Sequence, residues 1–193
     1  MKVEKVSCYK EWLPLEKSEF GVLAIIAEQN GFEGNLTDLC RSLSLAPQTQ
    51  TRHRLKKAIE EITKNGFCEC LNSEQKYCIK IIPQETEIRI DPRAIDDLKN
   101  HRYSAANVSW EVVLKVYLWS IQHRWDELTT NYQISVDLGG ISEKVIGRAK
   151  KVLIEDFEVI DRNIERKRRA DGEIRTIGHY ITPNAWWNYK GKK

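Results

Sequence analysis

Residues 132–153 read Tyr132-Gln133-Ile134-Ser135-Val136-Asp137-Leu138-Gly139-Gly140-Ile141-Ser142-Glu143-Lys144-Val145-Ile146-Gly147-Arg148-Ala149-Lys150-Lys151-Val152-Leu153. The segment from about Tyr132 to Leu138 predicts a short helix, and the paired glycines 139 and 140 are its turn. Ser142 then stands as a cap before a second helix whose Val145, Ile146, Ala149, Val152 and Leu153 share one apolar face.

On the C-terminal side, Phe157 to Ile164 and Ile174 to Thr182 predict two strands around a polar loop holding Asp171-Gly172. On the N-terminal side, Ser109 is placed to cap an apolar helix with Trp110, Val113, Leu114, Tyr117, Leu118 and Ile121.

The first half of the chain predicts a similar order. A helix beginning near Leu15 or Ser18 carries Phe20, Leu23, Ala24, Ile26 and Ala27 and ends before Asn30-Gly31. Asn35 is a natural N-cap for Leu36 to Leu43, and Pro47 suits the first turn of a third helix running from about Gln48 to Lys64. Gly66 ends that helix, and the runs from Phe67 to Leu71 and from Lys76 to Ile82 predict a hairpin. A connector follows, with a strand at Glu87 to Ile90 and a short helix opened by Asp91 and Pro92.

The segment 132–153 resembles the bacterial winged-helix DNA-binding signature: a short helix, a glycine turn, Ile141-Ser142, then a basic helix with a buried alanine and leucine. In the first-half counterpart, Leu36 to Cys40 and Thr51 to Ile62 are similar to it, although the turn there lacks glycine. The resemblance implies a mainly α fold with small β-hairpins (α+β) and two consecutive winged helix-turn-helix domains. These would occupy residues 13–83 and 108–185, with a linker at 84–107 and a Trp- and Lys-containing tail at 186–193. At that level the chain is similar to replication-initiation proteins of Gram-positive phages and plasmids, and to helix-turn-helix regulators.

Such a protein binds double-stranded DNA, in a sequence-specific or shape-selective way. The expected setting is phage- or plasmid-type replication initiation, because two units in one chain can read two half-sites. A transcriptional repressor with the same fold is the alternative within this class. The alternative from another class is a protein-protein interaction scaffold anchored by the tail tryptophans Trp186 and Trp187. Expected partners are duplex DNA and the replication or transcription machinery, with the chain a monomer or homodimer.

The residues expected at the DNA follow from the outward positions of the two third helices. In the first half they are Gln48, Thr49, Gln50, Arg52, His53, Lys56 and Lys57. In the second half they are Ser142 and Lys144 at the helix start, Gly147 for close approach, Arg148 to grip a guanine, and Lys151. The sharpest signal is the stretch from Arg162 to Arg175, where six cations meet three acids and Arg166, Lys167, Arg168 and Arg169 are consecutive. Cations crowded on a hairpin tip repel one another, and a polyanion relieves that repulsion.

Composition narrows the classes. The net charge is +3, but residues 1–100 hold 15 basic against 16 acidic side chains and residues 101–193 hold 16 against 12, so the basic excess is C-terminal. No apolar run reaches the roughly 20 residues of a membrane span, and Met1-Lys2-Val3-Glu4-Lys5 does not begin a signal peptide, which points to the cytoplasm. Five cysteines in such a chain read as reduced thiols rather than a disulfide framework. Cys68, Cys70 and Cys78 lack the spacing of a zinc knuckle, and the four histidines fall in no catalytic motif. The sequence therefore predicts no enzyme, no metal and no cofactor.

Overall fold

Glu16 opens the first long helix, α1 (Lys17–Glu28), through a reciprocal capping box with Glu19. Residues Phe20 to Ile26 of α1 are buried on every side, so α1 is the centre around which its unit packs. The left-handed pair Asn30 (φ 55°) and Gly31 (φ 119°) then turns the chain out of the helix. The structure is a computed structural model in which residues 5–73, 76–103, 108–124, 126–169 and 173–186 are described.

The chain forms two compact units, residues 1–101 and 102–193. In the first, β2 (Phe32–Gly34) leads into α2 (Leu36–Ser42) and α3 (Thr49–Lys64), and the hairpin of β3 (Cys68–Ser73) and β4 (Lys76–Ile81) follows. The Asn35 side chain accepts from the backbone N–H groups of Thr37 (2.8 Å) and Asp38 (3.1 Å), so the predicted cap forms. Helix α3 buries Leu55, Ala58, Ile59 and Ile62, the face expected from their spacing. Pro47 lies outside its first turn, because Gln48 is the capping residue.

Two strands in this unit were not expected. β2 adds to the edge of β4, giving the order β2-β4-β3, and β1 (Val6–Tyr9) pairs antiparallel with β5 (Glu87–Ile90) in a separate sheet. A single 3₁₀ turn, Lys10–Trp12, follows β1, and Trp12 packs edge-on to Tyr9 at 5.1 Å. In α4 (Arg93–Asn100) the cap position falls to Pro92 rather than Asp91, one residue later than expected, while Asp91 Oδ1 still accepts from the Arg93 N–H at 3.0 Å. The half-buried Lys99–Glu28 ion pair, 3.3 Å, ties α4 to α1. Residues 87–100, read above as a connector, are thus built into the first unit by β-pairing and by that ion pair.

In the second unit α5 (Trp110–Gln122) is buried continuously from Trp110 to Ser120. α6 (Asn131–Asp137) is opened by a Thr130–Gln133 capping box, and Trp119 Nε1 donates to Asp137 Oδ2 at 2.8 Å. Gly139 (φ 78°) and Gly140 (φ 84°) make the turn to α7 (Glu143–Lys151), which relaxes into one π turn, Val152–Asp156. β6 (Ile160–Arg168) and β7 (Ile174–Pro183) close the unit. Trp186 is buried against Tyr117 and Phe157, each at 5.1 Å, so it is a core residue and offers no external anchor. Trp125, Trp187, the Asp171-Gly172 turn, the first four residues and the rest of the tail lie outside the described residues.

The expectation of a mainly α chain with two consecutive winged helix-turn-helix domains is corrected. Among the described residues the fold is mixed α/β, with seven α-helices and seven strands in three small sheets. The two units do not repeat one plan. The first holds five strands in two sheets, the second a single two-stranded sheet. The reason is physical: β1 and β2 are four and three residues long, too short to show a period, and their partners lie far along the chain. Among the described residues no helix is long and apolar enough to cross a membrane.

Candidate nucleic-acid interface

The β6–β7 pair carries the run of four consecutive cations, Arg166 to Arg169, and its geometry follows from its ladder. Ile160 pairs with Pro183 at the buried base and Arg168 with Ile174 at the far end, with one irregularity between Glu165 and Arg166. From Asp161 to Arg169 on one strand, and from Glu173 to Ile177 on the other, every residue is exposed. Nine residues at about 3.3 Å each make a ribbon roughly 30 Å long. A two-stranded ribbon of this kind fits the DNA major groove, about 12 Å wide.

Arg166, Lys167, Arg168 and Arg169 all lie on this ribbon, and the first three belong to β6 itself. The run was expected in the loop between the strands; backbone pairing with Thr176, Arg175 and Ile174 carries it into the sheet instead. Ladder bonds need only the main chain, so side-chain repulsion does not stop the strand from extending. Arg175 is held by Glu173 at 2.8 Å.

Helix α7 gives a more divided result. Ser142 and Lys144 are exposed at its start, as expected, although Ser142 makes no side-chain cap bond. Lys151 is exposed and paired with Glu155 at 3.6 Å, while Arg148 is half-buried. Gly147 faces α6: a Cβ there would sit 3.5 Å from Asn131 Nδ2, so its role is helix packing rather than approach to a ligand.

Helix α3 presents Thr49, Gln50, Arg52, His53, Arg54, Lys56 and Lys57 to solvent, with Gln48 exposed at its cap. Lys56 is within 3.9 Å of Glu60, an exposed i,i+4 pair of small energetic weight. Arg54 was missed in the sequence reading; together with Arg52 it lies close enough to Cys40 to draw its thiol down against the larger upward push of burial.

A second cationic group was also missed. Lys150 shares the inward face of α7 with Ile146, Ala149 and Leu153 and is only 1% exposed. Among the described residues, its Nζ and the Nδ1 of His179 are buried without hydrogen-bond partners. Burial, with Arg162 nearby, brings the Lys150 ammonium down to about 8. Burial, Lys150 and Arg162 bring His179 down to about 4. The signal was present in the sequence, since 146, 149, 150 and 153 follow helical core spacing.

Other chemistry-bearing residues do not converge. All five cysteines are free; burial pushes the Cys8 thiol up to about 12, and Cys68 approaches Thr63 Oγ1 at 3.4 Å. Among the described residues no group of three or more His, Cys, Asp or Glu side chains gathers as metal ligands would. His123 stacks on Trp119 at 4.3 Å, and His53 is exposed on α3. The first unit also contains an open cavity of about 680 Å³ beside Val6, Tyr9, Ile26 and Ile81. No family model, no curated protein and no solved structure matches the chain.

Proposed function

We propose that the protein binds double-stranded DNA, with the β6–β7 ribbon as the principal contact and the exposed faces of α7 and α3 as accessory ones. The observation that carries this reading is the run Arg166 to Arg169, four consecutive solvent-exposed cations on the ribbon. An antiparallel pair exposed on both faces is marginal by itself. A phosphate backbone supplies both the counter-charge and the second surface, and the counterions it releases drive binding. Ser142 and Lys144 at the start of α7, with Arg52, His53, Arg54 and Lys57 on α3, add cations and hydrogen-bond donors.

The proposed setting is replication initiation of the phage or plasmid type, supported by two compact units in one chain, with a transcriptional repressor as the alternative role of the same surface. Selection of bound fragments from a random duplex pool separates the two: clustered direct or inverted sites of an origin, or one operator-like site. On this reading the protein has no catalytic centre.

A protein-interaction module is the second reading, and one observation favours it. Tyr132 and Val136, 65% and 58% exposed, are one turn apart on α6 and form an apolar pair facing solvent.

Combined reversal of Arg166, Lys167, Arg168 and Arg169 to glutamate tests the choice. DNA binding predicts loss of affinity by at least about a hundredfold and a flatter salt dependence, by about 0.9 in log–log slope for each phosphate contact removed. Unchanged affinity in a folded variant would overturn the proposal and leave the interaction reading.

A further inference from the structure

We propose that Lys150, His179 and Arg162 form a binding site for one tetrahedral oxyanion of the phosphate class, at the base of the β6–β7 ribbon. The site lies away from the cationic run at the ribbon's far end, and nothing in it depends on that run.

Three observations place it. Lys150 occupies a core position of α7, and its ammonium is buried close enough to His179 of β7 to act on it. Arg162 lies opposite Ile181 and His179 opposite Ile164, so Arg162 and His179 are diagonal neighbours on the face to which the buried Ile181 belongs. The three groups are close enough for Arg162 to act on Lys150, and for both to act on His179.

Among the described residues of β6 and β7, the carboxylates lie on the other face. Asp161 precedes Arg162 on the strand and so points to the other face, where its Oδ2 accepts from Asn184. Glu165, opposite Gly178, shares that other face. Among the described residues these are two buried nitrogens without hydrogen-bond partners beside a guanidinium, and an oxyanion would complete them: its several acceptor oxygens serve the ammonium, the guanidinium and the His179 ring in its Nδ1–H tautomer. Arg162 is exposed and is the side from which the anion enters. The anion arrives either as free inorganic phosphate or as a phosphodiester of a nucleic-acid backbone.

The test uses the full chain at pH 7. Sodium phosphate is titrated against sodium chloride at matched ionic strength, following Tm and the His179 ring resonances, and a short DNA duplex is titrated in a separate arm. The same titrations are run on Lys150→Met, which removes the buried charge and keeps the packing. In the wild type, phosphate raises Tm by a few degrees beyond the chloride control and moves the His179 resonances; Lys150→Met shows neither response while folding at least as stably. If the source is a backbone phosphodiester, the duplex moves the same resonances and binds several-fold more weakly to Lys150→Met. If it is free phosphate, the duplex leaves them in place. The proposal is overturned if neither phosphate nor duplex moves His179, or if Lys150→Met responds to phosphate as the wild type does. Duplex binding that bypasses this site leaves the ribbon reading standing, so the two claims fail separately.

Discussion

Lys167 on β6 lies directly opposite Arg175 on β7, so two cations face each other across an antiparallel ladder. Like charges in this position destabilise a sheet, and on the Arg175 side Glu173 supplies a counter-charge at 2.8 Å. Lys167→Glu should therefore stabilise the ribbon, by up to about 1 kcal/mol, while weakening binding to duplex DNA. Thermal denaturation and anisotropy on one variant check both directions. A variant that loses stability and keeps its affinity would show that the pair is structural.

At Gly178 the ribbon meets the rest of its unit so closely that a Cβ would lie 2.6 Å from Leu128 Cγ and 2.8 Å from the Thr129 carbonyl oxygen. The neighbouring His179 and Thr129 exchange both backbone hydrogen bonds, at 2.9 and 2.7 Å, so the backbone has little room to retreat. Gly178→Ala should cost about 1–3 kcal/mol, the range for overpacking, read as a lowered denaturant midpoint.

Asn35 satisfies two otherwise orphaned N–H groups of α2, and Asp38 returns a bond to the Asn35 backbone at 3.1 Å. Asn35→Ala should cost about 1 kcal/mol, and Asn35→Ser should recover most of it. Urea unfolding of the three proteins makes the comparison.

His179 and Lys150 give stability a defined dependence on pH. His179 titrates at about 4 when folded against 6.5 ordinarily, and Lys150 at about 8 against 10.5. In each interval the unfolded chain binds the additional proton, so each contribution grows as pH rises and is lost as pH falls. The groups facing them are each other and Arg162. In low-phosphate buffer, the increment in Tm between pH 4 and 6.5 should shrink in His179→Gln, and the increment between pH 8 and 10.5 should shrink in Lys150→Met.

The parts of the fold legible in the sequence were those set by local chemistry. Asn35 as a cap, Asn30-Gly31 and Gly139-Gly140 as left-handed turns, and the buried stripe of α3 each needed only neighbouring residues to be read. What escaped was long-range. Val6–Tyr9 becomes a strand only because Glu87–Ile90 comes to lie beside it, and Phe32–Gly34 only because β4 offers an edge.

The candidate interface divides in the same way. The cationic run was plain in the sequence, but its charge suggested a loop, whereas main-chain pairing makes most of it strand. Lys151, an expected contact, is exposed, and its i,i+4 pair with Glu155 at 3.6 Å is weak enough to yield to a phosphate. Lys150 beside it is hard to read from sequence because lysines are almost never fully buried, although its spacing matches the core.

On the proposed function, the exposed cations of the β6–β7 ribbon meet a chain of phosphates. The most direct measurement is the salt dependence of wild-type binding to a mixed-sequence duplex, begun near 50 mM salt and followed upward by fluorescence anisotropy. The account predicts binding at low salt that weakens steeply, with a log–log slope of about −3 or steeper if the four cations each displace a counterion. No binding at low ionic strength, or binding indifferent to salt, would contradict it.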